Sequence, residues 1–286
     1  MATSRVHGLR VLTKDSAIAK SGLVRLWSAR AAPTESLRER LPRAFELKDL
    51  VETPAHPHAY FQGFEESLAS RPLKLDAFLR LEGQLAYLDE QSWSDLKARA
   101  ARHLVSTRRE EGRGWQQLFD ALNEARAYGY LLRLGCTDIR FVAPGDTKKP
   151  DLEAQLDGRV ILCEVKTLNI SDEQAAINKR GERGEIFVTK VTPRLPDEFL
   201  ANKCAATLER ATQQPTRHDP ARGARWIVYV VLTLDNLAVD YEIEQFRQID
   251  DYLVAHPVAD AEVVFVPSKN VFERIFTMRS ATVDRE

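Results

Sequence analysis

The chain has 286 residues, a formal net charge of −1 and 44% hydrophobic residues, which argues against extensive disorder because enough apolar surface exists to offset the entropy of folding. No run approaches the roughly 18–20 uncharged apolar residues of a membrane span, since the best, residues 226–234, has nine, so a membrane-spanning protein is excluded. The three cysteines form no Cys-x-x-Cys pair, which argues against a disulfide framework or a cysteine zinc site and favours the reducing cytoplasm.

The first third of the chain is predicted to be a mainly helical module. Residues 5–30 hold six basic residues and one acid, a composition shared by surface helices and transit peptides, and the surface helix is the favoured interpretation. Between residues 37 and 105, apolar residues recur at helical spacing. They are Leu73, Phe78, Leu81, Leu85, Leu88, Leu96, Ala100 and Leu104.

A linker is expected at residues 110–114, which read Glu-Glu-Gly-Arg-Gly. Residues 1–113 hold 19 Lys and Arg against 15 Asp and Glu, a net charge of +4, whereas residues 114–286 hold 22 against 27, a net charge of −5. We therefore predict two domains, 1–113 and 114–286. The total charge gives no indication of nucleic acid, but the basic first module is a candidate for contacts to phosphates or to a protein partner.

The remaining two thirds alternates between helical and extended patterns. Gly135 suits the left-handed cap of a helix, and Asp157-Gly158 is a strong hairpin turn. The predicted elements are a helix over 115–134, strands over 138–143, 151–156 and 159–168, a helix over 197–213, a strand over 226–234, a helix over 241–254 and a strand over 262–266. This order predicts an α/β domain in which helices flank a mixed sheet.

The strand at 159–168 has an unusual polar content. Side chains alternate between the two faces of a strand, so Glu164 and Lys166 share one face of an otherwise apolar segment. Burying such ions costs several kcal/mol each without partners. The hairpin brings Asp151 back toward Glu164, and two converging carboxylates repel each other unless a cation lies between them. Oxygen ligands favour Mg²⁺ or Mn²⁺ over zinc, and the adjacent lysine is placed to orient a water molecule.

These residues resemble a known family. Pro150-Asp151, twelve intervening residues and then Glu164-Val165-Lys166 is similar to the PD-(D/E)xK motif of the restriction-endonuclease-like nucleases. The resemblance implies that Asp151 and Glu164 bind the metal, that Val165 contributes its backbone carbonyl and that Lys166 activates water. It also implies a restriction-endonuclease-like fold for residues 115 to about 266. Members of the family often have a further glutamate on the preceding helix, where Glu124 stands here, as a metal-site residue.

The helical pattern gives an independent indication about Glu124. With Leu118 placed at zero and 100° per residue, Glu124 falls at about 240°, between Leu131 and Tyr128 on the flank of the apolar arc. A surface glutamate has no preference for that position. The pattern therefore favours a buried role for Glu124, directed toward the sheet.

Two further basic regions are weaker candidates. The insertion at residues 178–194 contains five basic residues, and it is equally compatible with an arm that contacts phosphates and with a solvated loop. Lys203 lies only on the flank of the apolar stripe of its predicted helix, which does not favour a role in the site.

Together these observations predict a Mg²⁺-dependent nuclease, an endonuclease that hydrolyses phosphodiester bonds in DNA rather than RNA. The catalytic set is Asp151, Glu164, Lys166 and Glu124. A homodimer would suit cleavage of two strands. The alternative is a non-catalytic nucleic-acid-binding or scaffold protein with a nuclease-like fold, in which Glu164 and Lys166 form a structural salt bridge.

Overall fold

The structure, a computed structural model, describes residues 2–6, 9–13, 25–26, 36–51, 59–105, 116–143, 149–169, 176, 180, 194–219, 223–233, 241–258 and 261–268. The chain divides into two compact units, Met1–Arg40 and Leu41–Glu286. Each unit is described by itself. No helix in these described segments has the length and apolar character that crossing a lipid bilayer requires.

The first unit contains a small antiparallel sheet. Its strands are β1 (Ala2–Val6), β2 (Leu9–Thr13) and β3 (Arg25–Leu26), with β1 in the middle, and a short helix, α1 (Leu37–Arg40), ends the unit. The surface helix expected within residues 5–30 was wrong at these strands. That expectation came from composition, whereas β-branched Thr3, Val6, Val11 and Thr13 favour extended backbone.

The second unit begins with a helical layer. Its helices are α2 (Pro42–Asp49), α3 (Phe64–Ser70), α4 (Pro72–Leu85) and α5 (Glu90–Ala101). The ring of Phe64 packs edge to face against Phe45, Phe61 and Phe78, with centroids 4.8–5.6 Å apart. The predicted apolar positions are confirmed as core where side chains are described. The buried ones are Phe78, Leu81, Leu85, Leu88, Leu96, Ala100 and Leu104.

A mixed sheet forms the centre of the second unit. Helix α6 (Gln116–Arg133) precedes β4 (Thr137–Phe141), β5 (Leu152–Leu156), β6 (Arg159–Leu168), β7 (Arg225–Leu232) and β8 (Ala261–Pro267). In the described part of the chain the five strands lie in sequence order; β4, β5 and β6 are antiparallel, and β6, β7 and β8 are parallel. The predicted α/β class with a mixed sheet is confirmed, and β6 has the predicted bounds.

Helices cover both faces of this sheet. A π-helical turn (Phe199–Cys204) leads into α7 (Ala205–His218), which with α8 (Glu242–Ala255) packs on the face that includes Val228 and Val230. Helix α6 packs on the opposite face, where Tyr130 meets the ring of Tyr229, with centroids 5.4 Å apart. The result is a three-layer α/β/α arrangement with the charged segment of β6 in the middle layer.

The helical layer belongs to the same compact unit as the sheet. Helices α4 and α5 pack against α6, and α5 also contacts β4. The boundary between compact units falls after Arg40, whereas the sequence places a domain boundary at residue 113, in a segment that lies outside the described residues. The difference arises because α4 and α5 pack on α6 as well as on α2 within the helical layer. Tyr60 and Phe119, for example, meet edge to face at 5.6 Å.

Candidate active site

The hairpin of β5 and β6 places Asp151 opposite Glu164. Its turn residues Asp157 and Gly158 have φ angles of 50° and 75°, the left-handed geometry of a tight primed turn. The register pairs Leu152 with Cys163, so Asp151, the residue just before β5, lies opposite Glu164. Backbone bonding continues one residue beyond β5, since the Asp151 N–H donates to the Cys163 carbonyl at 3.1 Å. The predicted convergence of the two carboxylates is therefore built into the register.

The Asp151 carboxylate is oriented by the backbone of β6. Its Oδ2 accepts a hydrogen bond from the Val165 N–H at 2.7 Å. The N–H and carbonyl of one strand residue point to the same side, so the Val165 carbonyl is directed toward the position where β5 has ended and Asp151 lies. The metal-binding role of the Val165 carbonyl stays a prediction.

Glu164 is the most deeply buried acid of the site. It is 1% exposed, and its Oε1 accepts a hydrogen bond from Lys166 Nζ. The side chain of Lys166 is 28% exposed, so the ion pair runs from the interior toward the surface. The amine therefore has access to solvent, while the carboxylate that holds it does not.

Glu124 reaches the same place from α6. Its Oε2 accepts a hydrogen bond from Arg99 Nη1 at 2.7 Å, and the two side chains are only 13% and 15% exposed. Arg99 lies on α5, which begins after Asp89. The Asp89 carboxylate caps the helix by accepting a hydrogen bond from the Ser92 N–H at 2.7 Å. It also accepts one from the Tyr128 hydroxyl of α6 at 3.3 Å.

Electrostatic interactions join the three carboxylates. Burial, reinforced by the negative charges of Asp151 and Glu164, raises the pKa of Glu124 to about 8, although Arg99 opposes the change. Burial also raises the pKa of Asp151, against the hydrogen bond from Val165 and the positive charges of Lys166 and Arg99. Both shifts have the same main cause, which is that burial removes water from around the charged form of the acid.

This donor set fits a divalent metal ion. A hard cation would keep the buried carboxylates ionised, and carboxylate and carbonyl oxygens are the ligands that Mg²⁺ and Mn²⁺ prefer. Among the described residues, no group of three or more His, Cys, Asp and Glu side chains is arranged to hold a metal ion by itself. The register places Asp151 opposite Glu164, and Glu124 accepts a hydrogen bond from Arg99.

A second polar group lies at the end of β6. Asn123 Nδ2 donates to Thr167 Oγ1 at 3.1 Å, and Asn169 Nδ2 lies 3.5 Å from Asp120 Oδ1. Burial raises the pKa of Asp120 to about 6, against hydrogen bonds from Thr167 and Asn169. Asp120 was not among the predicted site residues, although it stands one helical turn before Glu124 on α6.

Arg99 was not predicted as a site residue either, because the sequence around it gives little indication of a role. It stands on α5 beside the buried Ala100, as many surface arginines do. Lys203 is exposed and donates to the Asn169 carbonyl at 2.9 Å. The insertion at 178–194 lies outside the described residues except for Arg180 and Arg194, so its two interpretations stay open.

In comparisons with known proteins, no family model, no curated protein and no solved structure matches the chain. The chemistry of the site is therefore inferred from its own residues. The two acids, the lysine and the glutamate of α6 are the residues predicted from the hairpin, the strand alternation, the helical pattern and the motif. Contacts and electrostatic interactions link all four in the folded chain.

Proposed function

We propose that this protein is a metal-dependent nuclease whose second unit has a restriction-endonuclease-like catalytic fold. The observation that supports this most is the convergence of Asp151 and Glu164 on the β5–β6 hairpin, with Lys166 paired to Glu164. A structural ion pair needs only one carboxylate for one lysine. Here Asp151 and Glu124 are added to the same buried region, and burial raises the pKa of both.

Each residue has a defined part in this mechanism. Bound at Asp151, Glu164 and the Val165 carbonyl, Mg²⁺ or Mn²⁺ would polarise the scissile phosphate and stabilise the charge that develops on it. The Val165 N–H keeps the Asp151 carboxylate in place. Lys166, whose amine reaches toward solvent, orients the attacking water and offsets negative charge on the phosphate.

DNA is the proposed substrate, with endonucleolytic cleavage that leaves a 5′-phosphate, because the family that the motif resembles acts mostly on DNA. Contacts along the phosphate backbone would have to come from outside the acidic pocket, since the pocket itself repels polyanions. The basic first 113 residues supply positive charge for that purpose. A dimer of two chains is compatible with cleavage of both strands.

A cleavage assay tests the proposal. Circular and linear DNA, single-stranded DNA and structured RNA are incubated with wild type, Lys166→Ala and Lys48→Ala, in Mg²⁺, Mn²⁺ or EDTA. Lys48 is a matched control because it also pairs with a glutamate, Glu65, but in the helical layer. We expect metal-dependent cleavage of DNA by the wild type and Lys48→Ala, and a loss of about 10²–10⁴-fold in Lys166→Ala.

Two outcomes contradict the proposal. Full activity in Lys166→Ala would remove the assigned role of the lysine. No cleavage of any substrate, together with no calorimetric Mn²⁺ binding or with binding unchanged in Asp151→Ala, would favour the non-catalytic scaffold. Circular dichroism of each variant establishes that the fold is retained.

A further inference from the structure

Arg99 is a nearly buried cation that α5 brings into the acidic site. Its Nη1 donates to Glu124 at 2.7 Å, its Nη2 donates to the Val142 carbonyl at 2.7 Å, and its guanidinium lies over the Phe141 ring, 5.2 Å from the centroid. Exposed ion pairs between flexible side chains contribute little. Three simultaneous contacts from a planar group instead hold Arg99 in one orientation.

The same arginine is connected to Asp151 through the backbone of one residue, Val142. Val142 accepts Arg99 with its carbonyl, and its N–H donates to the Asp151 carbonyl at 3.0 Å. The positive charge of Arg99 also acts on the Asp151 carboxylate. Arg99 therefore contacts one acid of the site directly and supports the backbone of another.

A count of charges shows what Arg99 changes. A bound cation favours the ionised form of each acid, and ionised Glu124, Asp151 and Glu164 together with Lys166 and Arg99 have a summed side-chain charge of −1. One divalent cation brings it to +1, which a phosphodiester of charge −1 neutralises. Without the arginine the net charge is −2, so one divalent cation leaves no excess positive charge for the phosphate, and a second is needed.

We infer that Arg99 is a positioning residue that occupies the Glu124 carboxylate in place of a second metal ion, so that each chain binds one divalent cation, at Asp151 and Glu164. The inference rests on the proposed function and sharpens it. Glu124 then holds the arginine rather than a metal ion, so it is removed from the metal ligands expected from the sequence. The guanidinium lies beside the site as a fixed positive charge for the phosphate.

Counting bound Mn²⁺ tests this directly, by isothermal calorimetry and by electron paramagnetic resonance of the free ion. We expect one Mn²⁺ per chain in the wild type and in Glu124→Gln, because Glu124 is not a ligand. In Arg99→Gln the freed Glu124 carboxylate should recruit a second ion, raising the count to two. The double variant Arg99→Gln/Glu124→Gln should return to one.

A matched control is available in Arg43→Gln. Arg43 also donates to two backbone carbonyls, those of Leu85 and Leu88, and lies over an aromatic ring, that of Trp93, but in the helical layer. It should keep one Mn²⁺ per chain. Arg99→Lys, which retains the charge, should also stay at one.

The outcomes separate this inference from the proposed function. If the wild type binds no Mn²⁺, this inference is overturned, and the proposed function is overturned as well if the wild type also cleaves no substrate. Two Mn²⁺ in the wild type, or one in a folded Arg99→Gln protein, would overturn the role of Arg99 and leave the nuclease proposal standing. If Arg99→Gln does not fold, the Mn²⁺ counts of the wild type and Glu124→Gln still test the inference. A lower count in Glu124→Gln than in the wild type would contradict it.

Discussion

Glu82 in the helical layer and Glu164 in the sheet are both buried carboxylates of the second compact unit, 8% and 1% exposed. Glu82, on α4, accepts hydrogen bonds from the backbone N–H groups of Arg43 and Ala44 at 2.9 and 3.0 Å, in the first turn of α2. Glu164 instead accepts from Lys166 and lies near two other acids. The two carboxylates are similarly buried, but backbone N–H groups bind Glu82, whereas a lysine binds Glu164.

The difference shows that burial alone does not identify a functional acid. Helix α2 begins after Leu41, whose side chain cannot cap the helix. Glu82 instead accepts hydrogen bonds from two N–H groups of the first turn, which have no partner within the helix. Its negative charge also lies at the positive end of the helix dipole. Glu82 thus stabilises the fold. The charges of Asp151 and Glu164 instead raise the pKa of Glu124, an unfavourable interaction that a bound cation would offset.

Replacing Glu164 or Glu82 by glutamine should separate the proposed catalytic role from the structural one, and the largest effect is expected on catalysis by Glu164→Gln. We expect Glu164→Gln to lower the rate of DNA cleavage by about 10²–10⁴-fold, because a metal ligand is lost, while thermal unfolding changes little. Glu82→Gln should keep its cleavage rate at low temperature. Equal activity in the two variants would mean that the buried acids of the sheet are structural.

Removal of the Glu82 side chain should have the largest effect on stability. Glu82→Ala leaves two N–H groups of α2 without their cap, which should lower the free energy of unfolding by about 2–3 kcal/mol in urea denaturation. The number of Mn²⁺ ions bound should be unchanged. A loss below about 0.5 kcal/mol would show that water replaces the carboxylate at no cost, and that the cap is dispensable.

The central hairpin was predictable because its signals are local. The bounds of β6 and the turn at Asp157-Gly158 follow from alternation and from left-handed geometry, and Gly135, with φ of 86°, ends α6 as expected. Asp151 and Glu164 are only 13 residues apart across one tight turn. Their placement could therefore be derived from strand register, whereas their chemistry stays a prediction.

Contacts between distant segments could not be predicted in this way. Arg99 and Glu124 are 25 residues apart and on different helices, and Glu82 caps a helix that starts 40 residues before it. Neither contact leaves a period or a motif in the sequence, because each depends on how α4, α5 and α6 pack. The division after Arg40 was missed for the same reason, since it reflects packing between elements rather than local composition.

Two lysines, the partly exposed Lys166 and the buried Lys74, extend the comparison to pH. Lys166 pairs with an acid, whereas Lys74 donates to the Ser67 hydroxyl at 2.7 Å and lies 5.8 and 6.0 Å from the ring centroids of Phe64 and Phe78. Burial, with a smaller contribution from the positive charge of nearby Arg71, lowers the pKa of Lys74 from 10.5 to about 8. The folded state therefore disfavours the charged lysine.

Lys74 should consequently make stability depend on pH. Between pH 8 and 10.5 the unfolded chain binds a proton at Lys74 that the folded chain does not, so the free energy of unfolding rises with pH, by about 1–2 kcal/mol, and this gain is lost as pH falls through 8. Urea denaturation of wild type and Lys74→Met at pH 7, 8, 9 and 10 measures the difference, since titrations at other residues affect both proteins equally. We expect the variant to be the more stable protein at pH 7 and the gap to narrow toward pH 10. Parallel curves would mean that Lys74 is as well solvated as a surface lysine, and that the helical layer tolerates a buried cation at no cost.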